Sequence, residues 1–313
     1  MNRAFIFPGQ GSQAVGMGKI VAEAFAPARA AFDEVDDALS QNLSRLMFEG
    51  PEDELILTAN AQPAIMAVSM AVTRVLQAEA GLDMAKHARF VAGHSLGEYS
   101  ALCAMGALTL ADATRLLRIR GASMQEAVPV GEGAMSALIG LDVGVVEEVC
   151  DQAKTLGVVV VANDNAPGQV VISGVAAAVE KAGELAKEKG ARRVIPLSVS
   201  APFHSPLLNP AADAMREALD AVTILPLSVP IVSNITANTT SEPAAIRDLL
   251  VAQVTGRVRW RESVAIFRSL GAAQTVEIGG NKVLTNMVKR IDKELETLAI
   301  DSPGDIEAIA KTL

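Results

Sequence analysis

The sequence predicts a mixed α/β protein in which a small domain is inserted into a larger one. Apolar, strand-like runs alternate with helical patterns along most of the 313 residues, and this alternation is typical of α/β folds. Between residues 134 and 197 the order changes to β-α-β-β-α-β, a recurring unit. A G-x-S-x-G pattern at residues 93–97 joins a predicted strand to a predicted helix, where a sharp turn can lift a serine above a sheet. The length also suits about two domains.

The N-terminal part alternates strands and helices. Proline suits the start of a helix and glycine its end, so the helix between Pro63 and Gly81 is the clearest one. Thr109 with Asp112 three residues later resembles a capping box that begins another helix. The predicted elements of this part are strands over residues 4–7 and 89–92, and helices over about 62–81, 98–105 and from 109 onward.

The middle of the chain predicts a ferredoxin-like unit. Its elements are strands over residues 135–139, 158–162, 170–173 and 193–197, and helices over 143–154 and 175–189. The chain then returns to α/β alternation, with strands near 229–233, 275–278 and 297–300. We therefore expect a large domain over 1–127 and 199–313, and a small inserted domain over 128–198.

The composition excludes several classes of protein. The 27 basic and 36 acidic residues leave a net charge of −9, which argues against a whole surface that coats nucleic acid or anionic membrane. Two cysteines and three histidines support neither a disulfide framework nor a zinc–thiolate site, and we expect no metal centre. No leader-like segment or 18-residue apolar stretch is found, so we expect a cytoplasmic protein without a membrane partner.

Ser95 is the candidate nucleophile. It occupies the centre of the G-x-S-x-G pattern, in which small residues on both sides let the backbone turn sharply. The helix that follows presents free N–H groups and a positive dipole to a developing oxyanion. An ordinary glycine-rich turn is the alternative, and the strand-to-helix context favours the nucleophile.

A serine hydroxyl needs a base, and the chain offers three histidines. His94 is adjacent to Ser95, and on a sharp turn its side chain is expected to point away. His87 precedes a strand in a polar segment and is expected to be solvated. His204 lies in a loop between Pro202 and Pro206, where the inserted domain rejoins the large one. It is the candidate base, the alternative being a histidine that is merely packed in this loop.

Two further motifs are open to more than one interpretation. The loop at residues 9–14 matches G-x-G-x-x-A after a strand, but Pro8 interrupts the strand and no acidic strand end follows, so we reject a dinucleotide site. The loop is expected to place a backbone N–H near the serine instead. Arg115 and Arg118 share a predicted helix face that is expected to be exposed, whereas Arg120 can point toward the site and hold a carboxylate.

Several ordered motifs then combine into one resemblance. They span nearly the whole chain: residues 7–13, 93–99, Arg120, 165–170, Phe203-His204, 233–236 and 277–279. Together they resemble the malonyl-CoA:acyl carrier protein transacylases of bacterial fatty acid synthesis. One departure is Gly279-Gly280-Asn281, where the family commonly has Gly-Pro-Gly.

The resemblance implies an α/β-hydrolase-like large domain with a ferredoxin-like insert. It implies that malonyl-CoA and a holo acyl carrier protein are the substrates, that no cofactor is bound, and that the acyl group passes through a serine ester. The residues it assigns are a Ser95–His204 dyad, an oxyanion hole from the N–H groups of Gln10 and Leu96, Arg120 on the malonyl carboxylate, Gln253 orienting His204 through its backbone carbonyl, Phe203 crowding a methyl branch, and Asn165 as a further substrate-binding residue.

Two other functions are weighed against this one. A serine thioesterase or esterase would use an acidic residue between Ser95 and His204, and that interval contains the inserted domain with Asp142, Asp151 and Asp164. A non-catalytic carrier-docking module would not require the full set of Ser95, His204 and Arg120.

An acidic carrier protein requires a local basic patch on this acidic chain. The two candidate groups are Lys187, Lys189, Arg192 and Arg193, and Arg257, Arg259 and Arg261. Cys103 and Cys150 lie in apolar helical segments and are expected to be buried and inert.

Overall fold

The structure, a computed structural model, describes residues 2–313. The strands of these residues form two sheets. Numbered in chain order, the strands are β1 Arg3–Phe7, β2 Ala88–Gly93, β3 Gly133–Ile139, β4 Val159–Ala166, β5 Gln169–Val175, β6 Arg193–Pro196, β7 Ile231–Val232, β8 Thr239–Thr240, β9 Gln274–Ile278 and β10 Glu296–Ile300.

Helices connect these strands. In chain order they are α1 Lys19–Ala24, α2 Ala26–Leu39, α3 Leu43–Glu49, α4 Glu52–Leu55, α5 Thr58–Ala80, α6 Met84–His87, α7 Gly97–Ala104, α8 Leu110–Glu126, α9 Val143–Ala153, α10 Ala176–Glu188, α11 Asn209–Asp220, α12 Pro243–Thr255, α13 Trp260–Ala265, α14 Val283–Ile291 and α15 Pro303–Ala310. Short 3₁₀ helices occupy Lys154–Leu156 and Pro206–Leu208. Within residues 2–313, no helix combines the length and the apolar character that a membrane crossing needs.

The larger sheet has the strand order β10-β9-β1-β2-β7-β8, and every pair is parallel except β7 with β8. β1 is buried along its whole length, as expected of a central strand in a parallel sheet that helices cover on both faces. Phe5 and Phe7 pack into one hydrophobic core, while Ala4 and Ile6 pack into a second. The ends of β1 and β2 lie side by side, with Phe7 opposite Gly93. The loops that follow these two strands therefore meet.

The smaller sheet has the order β4-β5-β3-β6 and is antiparallel throughout. Its elements follow one another as β3-α9-β4-β5-α10-β6, the order that the sequence predicts. A separate apolar core lies between this sheet and its two helices.

The structure corrects three predicted boundaries and confirms two helix signals. β4 extends to Ala166 instead of ending at residue 162. α5 begins at Thr58, so Pro63 lies inside the helix. The first turn of α5 packs closely against α8: a Cβ at Gly121 would lie 2.5 Å from the Thr58 carbonyl oxygen. β7 has two residues instead of five, since the chain turns after Val232. Gly81 ends α5 with a φ of 67°, and the Thr109 hydroxyl caps α8.

Candidate active site

The serine turn is built by close backbone contacts. Ser95 follows β2 and has a φ of 53°, in the left-handed region that side chains rarely adopt. A Cβ at Gly93 would lie 1.9 Å from the carbonyl carbon of Gly97, and one at Gly97 would lie 2.2 Å from the Phe7 carbonyl oxygen. Both glycines are therefore required by the space available. The turn raises Ser95 to the end of the sheet, and Leu96 is the N-cap residue of α7.

His204 lies against the serine hydroxyl. The distance between Ser95 Oγ and His204 Nε2 is 2.9 Å. The other ring nitrogen, Nδ1, lies 2.8 Å from the backbone oxygen of Gln253 and 3.1 Å from that of Gly256. Carbonyl oxygens only accept hydrogen bonds, so Nδ1 carries the proton and Nε2 is left to accept from the Ser95 hydroxyl.

The His204 ring is neutral at ordinary pH. It is 4% exposed, and burial, with the nearby positive charge of Arg120, lowers its pKa to about 3. A general base must be unprotonated before it acts. The site therefore holds its base in the competent form.

Arg120 provides a buried positive charge beside the serine. It comes from α8, is 1% exposed, and its Nη2 donates to Ser95 Oγ at 3.0 Å. The same nitrogen donates to Gln253 Oε1 at 2.9 Å, and Nη1 donates to Gln62 Oε1 at 2.7 Å. The guanidinium is thus fixed by neutral acceptors, and no carboxylate in the described chain bonds to it. A cation held in this way is well suited to bind an acidic group that arrives with a substrate.

Behind the dyad lies a polar network that the sequence argument does not identify. The Gln253 side chain donates to the Ser95 carbonyl oxygen at 2.9 Å, and the Asn234 side chain accepts the Ser95 N–H at 2.7 Å. Both residues also bond to Glu98, which is 2% exposed. Burial raises the pKa of Glu98 to about 8, against the hydrogen bonds from Asn234 and Gln253 and the charge of Arg120. Glu98 and Asn234 lie within two of the motifs that carry the resemblance but were given no role there, whereas Gln62 has no local signal.

Six of the predicted site residues line one cleft of about 550 Å³. They are Gln10, Ser95, Arg120, Asn165, Phe203 and His204. Leu96 and Gln253 lie directly behind this set and are buried. Asn165 comes from β4 of the smaller sheet, so the cleft is lined by strands of this sheet together with loops such as those that follow β1 and β2 of the larger sheet. Its Oδ1 lies 2.8 Å from His94 Nε2.

The glycine-rich loop lies against the serine turn. At Gly9, a Cβ would lie 2.5 Å from the His94 carbonyl oxygen, so only glycine allows the two loops to approach this closely. Gln10 follows and its side chain donates to Thr58 Oγ1 at 3.3 Å. The loop also receives a bond from Asn281, whose Nδ2 donates to the Ser12 carbonyl oxygen at 2.9 Å. The residue that departs from the family pattern thus supports this loop.

The other two histidines lie away from the serine hydroxyl. His94 stacks edge-on against Trp260 with ring centroids 5.6 Å apart, and burial lowers its pKa. His87 is half-buried, not solvated as predicted, because its Nδ1 accepts the backbone N–H of Asp83 at 3.0 Å. Both cysteines are buried as predicted, and burial raises the pKa of each thiol to about 12.

The comparisons with known proteins agree along the whole chain. The acyl transferase domain family matches residues 4–303. The malonyl CoA-acyl carrier protein transacylase of Bacillus subtilis strain 168 is 48% identical over 99% of this chain and 96% of its own length. An acyl-carrier-protein-S-malonyltransferase from Bartonella henselae is 55% identical with a TM-score of 0.98, over 100% of this chain and 99% of that one.

A further solved structure contains a type II PKS acyl-carrier protein in complex with its malonyl-transacylase. It matches this chain with a TM-score of 0.96 and 40% identity, over 100% of each chain. Coverage at this level includes the serine turn, the smaller sheet and the C-terminal strands alike. The chain therefore belongs to the malonyl CoA-acyl carrier protein transacylase family of acyl transferases.

Proposed function

We propose that this protein transfers a malonyl group from malonyl-CoA to the phosphopantetheine thiol of an acyl carrier protein, through a malonyl ester of Ser95. The observation that carries the proposal is the position of Ser95 Oγ, 2.9 Å from a neutral imidazole nitrogen and 3.0 Å from a buried guanidinium. The first contact activates a nucleophile, and the second selects an acyl group that bears a carboxylate. The names of the relatives support the same substrates.

The reaction proceeds in two symmetrical halves. His204 removes the Ser95 proton while Oγ attacks the thioester carbonyl carbon. The tetrahedral oxyanion accepts hydrogen bonds from the backbone N–H groups of Gln10 and Leu96, and His204 then protonates the departing thiol of coenzyme A. The carrier thiol repeats these steps in reverse. Thioester is exchanged for thioester, so the protein supplies all of the catalytic groups and no bound cofactor is needed.

The remaining cleft residues set which acyl group fits. Arg120 binds the malonyl carboxylate, and the Gln253 backbone carbonyl keeps the proton of His204 on Nδ1. Phe203, which is 8% exposed and lines the cleft, crowds a branch at the malonyl α-carbon. Asn165 approaches the acyl chain from the smaller sheet.

The domain description belongs to the same proposal. The order β6-β3-β5-β4 with two helices supports a ferredoxin-like small domain over residues 128–198. A mostly parallel sheet with the serine turn after β2 supports an α/β-hydrolase-like large domain over 1–127 and 199–313. The cleft between them would then be the entry for both thioesters.

The surroundings of His204 disfavour the alternative of a serine hydrolase. Such an enzyme normally places a carboxylate on the second ring nitrogen. Here that nitrogen bonds to two backbone carbonyl oxygens, and Asp164 is instead paired with Arg261 at 2.7 Å. Carbonyl groups hold the ring without adding a charge.

Charge pairing separates the two candidate carrier-docking patches. Arg257, Arg259 and Arg261 each form an ion pair with a nearby carboxylate. In the first group Lys189 pairs with Glu148, but Arg192 and Arg193 are exposed and form no ion pair within residues 2–313. We therefore assign the docking of an acidic carrier to these two arginines, with Lys187 beside them. Reversing both to glutamate is expected to raise KM for the carrier protein and leave KM for malonyl-CoA unchanged; if neither changes, docking lies elsewhere.

The covalent intermediate provides the direct test of the function. Intact mass spectrometry of the protein mixed with malonyl-CoA is expected to show one malonyl adduct, which holo acyl carrier protein then removes. Ser95→Ala is expected to abolish the adduct. Ser100→Ala is the matched control, because Ser100 lies on α7, is fully buried and has an Oγ without a hydrogen-bond partner. An adduct that persists in Ser95→Ala would assign the nucleophile to another residue, and release mainly to water would indicate a hydrolase.

A further inference from the structure

Glu98 is a buried carboxylate that the two-step transfer does not use. It lies in the first turn of α7, three residues after the nucleophile, and is 2% exposed. It is not among the residues that line the cleft, so it does not touch a substrate. Any part it has in the reaction must act through other residues.

Both oxygens of this carboxylate accept hydrogen bonds from the network behind the dyad. Oε1 accepts the backbone N–H of Asn234 at 2.7 Å. Oε2 accepts a hydrogen of the Gln253 amide nitrogen, Nε2. The two donors come from separate segments of the chain, so one side chain joins them.

Asn234 holds the serine turn on both sides. Its Oδ1 accepts the Ser95 N–H at 2.7 Å, and its Nδ2 donates to the Gly93 carbonyl oxygen at 2.7 Å. These bonds tie down a residue whose backbone is in an unfavourable left-handed conformation. Glu98 fixes the backbone from which this side chain extends.

Gln253 holds the other parts of the site. Its Nε2 donates to the Ser95 carbonyl oxygen at 2.9 Å, its Oε1 accepts from Arg120 at 2.9 Å, and its backbone oxygen accepts from His204. A glutamine amide can turn over and exchange its oxygen and nitrogen. In the structure Glu98 accepts from the amide nitrogen of Gln253, and this orientation leaves the amide oxygen to accept from Arg120.

We propose that Glu98 is a positioning residue for the transfer reaction, and that its carboxylate sets the orientation of Gln253 and Asn234 and through them the placement of Ser95 and Arg120. This inference rests on the proposed function. It assigns to Glu98 a requirement for two acceptor oxygens, which a side chain that merely fills space would not have.

Glu98→Gln tests the requirement because it changes one acceptor into a donor and keeps the volume. The new NH₂ would face either the Asn234 N–H or the Gln253 NH₂, and two donors cannot bond. If Gln253 turns over in response, its own NH₂ faces the Arg120 guanidinium. Glu277→Gln is the matched control. Glu277 is fully buried and accepts two backbone N–H groups, from Leu284 and Thr285, outside the cleft.

The measurement is the rate of acyl-enzyme formation, per acylatable serine, with malonyl-CoA and with acetyl-CoA. For Glu98→Gln we expect the rate constant to fall at least tenfold with both substrates. The half-saturating concentration is expected to rise for malonyl-CoA alone, because only that substrate uses Arg120. Glu277→Gln is expected to lower the melting temperature at least as much and to leave both parameters within about threefold of the wild type.

A wild-type rate in Glu98→Gln, or losses of equal size in the two variants, would overturn the inference. If Glu98→Gln does not fold, it is combined with Gln253→Met. The methionine presents no amide to residue 98, so the new NH₂ meets no donor there. A rate constant of the double variant within threefold of that of Gln253→Met alone supports the inference, and a rate constant tenfold lower overturns it. If the wild type forms no malonyl adduct at all, the proposed function fails instead.

Discussion

Removing the Arg120 side chain tests how this site distinguishes acyl groups. In Arg120→Ala, a malonyl carboxylate enters a cleft that has lost its buried cation, while an acetyl group loses no ionic partner. With either substrate, the variant lacks the hydrogen bond from Nη2 to Ser95 Oγ. The side-chain oxygens of Gln62 and Gln253, which accept from Arg120 in the wild type, then lack a donor. The losses differ only in the carboxylate contact, so a ratio of rates isolates it.

The size of the effect follows from the burial of the pair. Truncating one partner of a buried, hydrogen-bonded charge pair costs about 2–5 kcal/mol, and Arg120 is 1% exposed. The hydrogen bond from Nη2 to Ser95 Oγ is lost with both substrates and cancels in the ratio. At the middle of the range, about 3.5 kcal/mol, the malonyl-to-acetyl ratio of kcat/KM falls about 400-fold.

The assay is rapid-quench intact mass spectrometry of the acyl-enzyme with each substrate. Arg118→Ala is the matched control, because Arg118 lies on the same helix but donates to Asn60 and Gln41, outside the cleft. It is expected to change both rates by less than threefold. Equal losses of malonyl and acetyl transfer in Arg120→Ala would refute the assigned role.

Three further predictions concern the turn, the base and the cleft wall. Gly93→Ala is expected to lower the free energy of unfolding by at least about 3 kcal/mol, since the new Cβ would clash with rigid backbone at Gly97. Denaturant melts measure this loss. Gly144→Ala is the control, because a Cβ at Gly144 meets open space, and it is expected not to lower the free energy of unfolding. The pKa of His204 is about 3 in the folded protein, so below its ordinary value near 6.5 the unfolded chain binds one more proton. Lowering the pH from 7 to 5 should therefore cost the wild type about 2 kcal/mol more than His204→Gln, and an identical pH dependence in urea melts would contradict this. Phe203→Ala is expected to raise the methylmalonyl-to-malonyl ratio at least fivefold in a competition assay, and an unchanged ratio would show that Phe203 does not limit the cleft.

The serine turn was accessible from the sequence because its constraints are local. Gly93 and Gly97 are required by contacts within one strand–turn–helix segment and its neighbouring strand. These steric requirements produce the G-x-S-x-G pattern, which can be recognised in the sequence. The order of elements in the smaller sheet was accessible for the same reason, since hydrophobic periodicity is a property of short windows. Boundaries that depend on distant packing, such as the start of α5 before Pro63, were not.

The amino-acid sequence by itself indicated the candidate nucleophile, the class of fold and the family resemblance, all of which rest on short ordered patterns. Only the tertiary structure decided what surrounds the nucleophile. His204 and Arg120 lie 109 and 25 residues from Ser95 along the chain, so the distances that join them to its hydroxyl depend on the packing of distant segments. Glu98 acquires its partners only when Gln253 of α12 and Asn234 after β7 reach α7. Hydrogen bonds between such distant segments depend on how helices pack against a sheet, and that packing has no signature in any one stretch of sequence.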